Sequence, residues 1–198
     1  MAPPGRGLEL LESAVRYALA GAALGTAELL PRPTPCPGWN LTMLLDHLGD
    51  SIGELTAAIT GDGVRTAPGS YPGPAADPVA RLRGTAAGLL MAYAAAGNSG
   101  RRVALGDREL TVNMVAVTAA IEVTVHGWDI SVACGARRPV PPGLAAVLLT
   151  IAPLLITPGT RPGLFADPVR LTGPACPGDQ LVAFLGRQPC LPAAPGAS

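Results

Sequence analysis

The sequence predicts an all-α protein: an up-and-down bundle of four main helices with extra short elements after it. Three observations carry this. Long Ala- and Leu-rich stretches recur between proline and glycine breaks, each longer than a strand. Asn40 and Asp77 stand where helix N-caps belong, and Gly61, Gly97 and Gly135 where helices end. Aromatic residues make up 4% of the chain, too few for an aromatic-rich β-sandwich.

The first helix is expected over 7–30, on a loose 3.6-residue stripe of Leu10, Val15, Ala18 and Leu24. Prolines at 31, 33, 35 and 37 then impose a rigid loop. Asn40 opens a second helix that Gly61 closes, and 61–78 reads as a long surface loop of the kind that shapes sites. Asp77-Pro78 opens a third helix with an N-cap and a proline at its first position, running to Ala96. Residues 101–110 form a turn or small hairpin around Gly106-Asp107. The stretch 111–134 is rich in Val and Thr, which suits strands, yet its length requires a helix. A fifth helix over 141–157 is bent or shortened at Pro153, and 178–186 is a short amphipathic piece. No internal repeat is present, so 1–198 reads as one domain, with a bundle core over 7–157 and an extension over 158–198.

Composition removes several function classes. Fourteen basic residues balance fourteen acidic ones, so no electrostatic footprint for nucleic acid or an anionic membrane exists. Every basic residue is Arg, which excludes Schiff-base lysine chemistry and the P-loop lysine. The start of the chain has Glu9 and Glu12 where a signal peptide needs an apolar run. The apolar stretch 143–157 is too short to span a bilayer, and 110–128 carries Asn113, Glu122 and His126. Cysteines at 36, 134, 176 and 190 form no C-x-x-C pair and no disulfide framework. A cytoplasmic protein is expected, with no nucleic-acid or membrane partner. Few charges and a mean hydropathy of +0.36 favour an apolar surface patch and a homodimer.

The chain has two histidines, and both sit in informative places. Glu122 and His126 are an i,i+4 pair, about 5–6 Å apart on one helical face. Glu122 lies in an apolar run, where a carboxylate needs a partner or takes up a proton. A hydrogen bond from His126 would serve, and so would a divalent metal shared with a third ligand. His47, on the second helix, is the candidate third ligand, since two His and one Glu with an open position is a catalytic zinc set. Two ordinary helical histidines and a hydrogen-bonded Glu are the alternative.

Around these ligands stand weaker candidates. Asp129 is a base candidate or a partner that fixes a ligand histidine's tautomer; it could also be a cap. Asp50 shares a face with His47 as a second base candidate, and Asp46 adjoins it; both read equally as solvated carboxylates. Cys36 could be a fourth ligand, a redox-sensitive thiol or buried filler. Arg101, Arg102 and Arg108 could bind a substrate carboxylate or form a solvated basic loop.

The run T-P-C-P-G-W-N-L-T-M-L-L-D-H-L, followed later by E-V-T-V-H-G-W-D-I, resembles the DinB-like metal-binding superfamily. Both tryptophans, Trp39 and Trp128, belong to these motifs. The likeness is closest to the branch of mycothiol-dependent maleylpyruvate isomerase. It extends to A-D-P-V-R-L-T-G-P-A-C-P-G-D-Q-L-V-A-F-L-G-R, which resembles the terminal segment of single-domain actinobacterial members. The resemblance implies a DinB-like four-helix bundle holding a divalent ion on His47, Glu122 and His126. That isomerase has a further C-terminal α/β domain, whereas only 158–198 follows the fifth helix here.

Zinc is the expected ion; nickel, iron and manganese accept the same ligands. The resemblance further implies a low-molecular-weight thiol, mycothiol, as cosubstrate, for S-transfer to a small electrophilic metabolite or its isomerisation. A thiol-independent tailoring enzyme is a second expectation, working by hydrolysis, cyclisation or rearrangement. A non-catalytic metal- or ligand-binding bundle is a third.

Overall fold

The computed structural model describes residues 6–61, 77–97, 100–105 and 108–189. Helix α1 spans Arg6–Ala22. The stripe through Leu24 predicts a longer helix, but the Leu24 and Gly25 amides bond to the carbonyls of Gly21 and Ala22, three residues back. The chain has already left α-helical geometry there, and Leu24 ends 40% exposed. Two glycines within five residues weaken the helix, and a Leu24 that stays 40% exposed gains little burial to hold it there.

The next two helices begin and end on their caps. In α2, Leu41–Thr60, Asn40 accepts the Met43 amide, and Gly61 closes the helix at φ 81°. In α3, Pro78–Ala96, Asp77 accepts the amides of Val79 and Ala80 at 3.0 Å each, satisfying donors that a helix start leaves open. Most of the loop expected over 61–78 lies outside the described residues.

The hairpin pairs β1, Arg102–Leu105, antiparallel with β2, Arg108–Thr111. Its tip, Gly106-Asp107, lies outside the described residues. Helix α4, Val112–Ala133, starts on the Thr111 hydroxyl, which accepts the Met114 amide. Nearly every side chain from Ala119 to Ser131 is buried. Burial all round removes any amphipathic pattern and lets Val and Thr stand in a helix, because packing outweighs propensities of a few tenths of a kcal/mol.

These four helices and the hairpin form one compact unit, Met1–Ala136. Helix α1 packs on α4 and α3, and α2 packs on α3 and α4. Leu11, Leu44, Leu45, Leu48, Ile52, Leu82, Leu89 and Ile130 are buried in its core. Among the described residues α4 is the one helix long and apolar enough to cross a membrane, and its apolar window is 78% buried inside the protein.

The second unit is Arg137–Ser198. It contains α5, Pro142–Leu155, with Pro153 inside its last turn, and α6, Pro177–Phe184. The two helices pack together, and Gly178 meets the Val140 backbone closely. Helix α5 thus groups with the segment after it, where the sequence places it in the bundle core.

Candidate metal centre

Helices α2 and α4 carry the two motifs and face one another, which no spacing in the sequence requires. His47, in the second turn of α2, brings its Nε2 to 3.3 Å from Glu122 Oε1 on α4. One turn further along α4, His126 Nε2 lies 3.2 Å from the same oxygen. The two imidazole rings stand edge-on, centroids 5.2 Å apart. All three donor atoms lie within 4.8 Å of one another, the clustering an ion needs.

The far side of the His126 ring is also occupied. Its Nδ1 lies 3.0 Å from Asp129 Oδ2, and Asp129 is fully buried. With Nδ1 committed to Asp129, Nε2 is the nitrogen turned toward Glu122 and His47, and the one that would bind an ion once its proton is lost. Exposure falls across the site. The His47 side chain is 38% exposed and Glu122 21%, while His126 is 8% exposed. Solvent or a small molecule therefore reaches the cluster from the α2 side.

Burial opposes charge on Glu122, but hydrogen bonds and attraction from His126 and His47 outweigh it and hold the carboxyl well below its usual range. Burial likewise opposes charge on His126, yet Asp129, Cys36 and Glu122 raise its pKa well above the ordinary imidazole value. The metal-free site thus pairs an anionic Glu122 with a proton-holding His126 ring. Ion binding at Nε2 must displace a proton, so affinity is expected to rise with pH beyond the usual histidine range. Zinc titrations at stepped pH should show about a tenfold gain per unit for each proton released. A flat profile would contradict the proton-loaded site.

The other candidates separate clearly. Asp50 does not join the cluster: its Oδ1 lies 3.6 Å from Arg81 on α3, which also binds Asp46 at 2.8 Å. A half-buried guanidinium facing that side of α2 draws both carboxylates. Arg101 donates to the Ile59 carbonyl and Arg102 pairs with Glu109 across the hairpin, so these two arginines are held by protein partners. Trp128 is buried at 7% exposure. Cys36, Cys134 and Cys176 form no disulfide among the described residues, and Cys190 lies outside them.

Two neighbours of the site take partners that the sequence did not specify. Trp39 sets its ring 4.6 Å from that of His47, edge-on, and Cys36 lies 3.3 Å from Asp129 Oδ2. Their place in the motif beside His47 was the available signal; the partner across ninety residues was not.

Fold and site together define a DinB-like helical protein with a two-histidine, one-carboxylate donor set. The chain belongs to the family of the mycothiol maleylpyruvate isomerase N-terminal domain, whose model matches residues 10–131. It is similar to uncharacterized proteins from two strains of Mycobacterium tuberculosis, each 30% identical over 166 residues, covering 81% of this chain and 86% of the relative. No solved structure matches it.

Proposed function

We propose that this protein is a metal-dependent enzyme that activates a low-molecular-weight thiol against a small electrophilic metabolite, with His47, Glu122 and His126 holding the ion. The observation that carries this is the convergence of two imidazole Nε2 atoms on one carboxylate oxygen, at 3.3 and 3.2 Å. The residues fit a divalent ion of the zinc type: two neutral nitrogen donors, one anionic oxygen, and an Asp129 that fixes the tautomer of the buried ring. Such an ion lowers the pKa of a thiol or water that it binds. The membership of the mycothiol-related family favours the thiol.

The chain's own contribution is positional. Glu122 supplies the charge that keeps the cluster from being wholly cationic, Asp129 holds His126, and Trp39 covers one edge of His47. The half-exposed His47 side is where thiol and substrate would enter. Addition forms an S–C bond and moves the π electrons of an activated double bond toward its electron-withdrawing group. Protonation of the neighbouring carbon then leaves a thioether; rotation and elimination instead return the thiol and the isomerised alkene.

The test is thiol-dependent turnover by tag-free, zinc-loaded protein offered activated alkenes, with mycothiol as the thiol. Thioether formation or double-bond isomerisation, lost on chelation, is the expected result. Product formed equally in thiol-free buffer would replace this reading with metal-dependent hydrolysis or rearrangement. Stoichiometric zinc with no turnover of any electrophile would leave a binding protein.

A further inference from the structure

We infer that Cys36 is a positioning residue for this centre, acting through Asp129 on the His126 ring; the inference rests on the metal-site reading above. The thiol donates to Asp129 Oδ2 at 3.3 Å, and the same oxygen receives His126 Nδ1 at 3.0 Å. The sulfur lies 4.0 Å from Nδ1, on the side of the ring opposite Glu122. One carboxylate oxygen thus serves two donors, the fully buried Asp129 is held from two directions, and the ring it orients is held with it.

The loop that delivers the thiol is built for this. Residues Pro33 and Asn40 form a bridge that closes it. Inside, the Thr34 hydroxyl accepts the Cys36 amide at 3.2 Å and donates to the Trp39 carbonyl at 3.0 Å, and the Trp39 amide donates to the Cys36 carbonyl at 3.1 Å. Gly38 takes φ 80°, a left-handed turn that side chains disfavour. The result places Cys36 against the partner of one histidine and Trp39 4.6 Å from the other. One short loop therefore touches the support of one ring ligand and the ring of the other.

The thiol suits the place chemically. It is a weak donor, so it anchors the carboxylate while leaving most of its negative charge to the imidazole N–H. Without a donor there, the buried carboxylate loses one of the groups that hold it.

The test compares wild type, Cys36→Ala and Cys36→Ser. Zinc affinity is read by competition with a chromophoric chelator, and the His126 Nδ1–H by nitrogen-edited NMR of the metal-free protein, where only two histidines need assignment. Cys36→Ala is expected to weaken zinc about tenfold and to broaden the Nδ1–H signal by exchange. Cys36→Ser should restore both in large part. An Nδ1–H signal unchanged in Cys36→Ala overturns the inference, whatever happens to affinity. So does a thiolate-to-metal band in the cobalt-loaded protein that Cys36→Ala removes, which would make Cys36 a ligand. Wild type that takes up no zinc removes the metal reading, and the proton signal then decides the positioning role alone.

Discussion

Glu122→Ala is expected to abolish stoichiometric zinc uptake. Its Oε1 is the one atom that both histidine Nε2 nitrogens approach, at 3.3 and 3.2 Å. Without it the ligand set keeps two imidazoles and no carboxylate. Removing a partner that merely orients a ligand costs about 10–100-fold in affinity, and loss of a ligand should exceed that. Metal content by mass spectrometry on tag-free protein checks it, with His47→Ala expected to behave alike. Asp50→Ala is the control: its carboxylate pairs with Arg81, so the metal should stay. Zinc retained in Glu122→Ala would mean that the ion sits elsewhere, and the Cys36, His126 and Asp129 group would then be the other place to look.

Gly127→Leu should have the largest effect on folding. Gly127 lies between His126 and Trp128, where α4 crosses α1. A Cβ there would sit 2.8 Å from both Cα and Cβ of Ala18, so backbone must move, not a flexible side-chain tip. Overpacking costs about 1–3 kcal/mol where side chains can adjust, and a backbone clash belongs at the upper end or beyond. Thermal denaturation should show a drop of many degrees, and the displaced α4 should weaken metal binding too. Gly84→Ala on α3 makes the contrast: no atom lies within 4 Å of its added Cβ, so a gain of up to about 1 kcal/mol in helix propensity is expected. Equal stability of Gly127→Leu and wild type would show that α1 is free to retreat.

The reason for Gly127 cannot be seen in the chain around it. It stands amid a long helix, where a glycine reads as a weakness of about 1 kcal/mol. Only the crossing with Ala18 explains it. The same holds for Asp50, whose spacing from His47 places both on one side of α2, while Arg81, thirty-one residues on in the chain, decides where the carboxylate goes. Helix α1 is shorter than the stripe predicts for a related reason: Leu24 continues the stripe but stays 40% exposed.

What the sequence determined by itself was local or chemical. Asn40 and Asp77 cap helices because their side-chain oxygens reach amides two or three residues on, and Gly61 and Gly97 end them through backbone freedom at the same position. The pairing of Glu122 with His126 follows from one helical turn. The family was legible because both motifs are contiguous. The tertiary structure alone decided that α2 meets α4, that His47 reaches Glu122, that the proline loop sets Cys36 on Asp129, and that α5 groups with the C-terminal unit. Those are contacts between side chains dozens of residues apart, and packing energy chooses them among many that the pattern of apolar residues would equally allow.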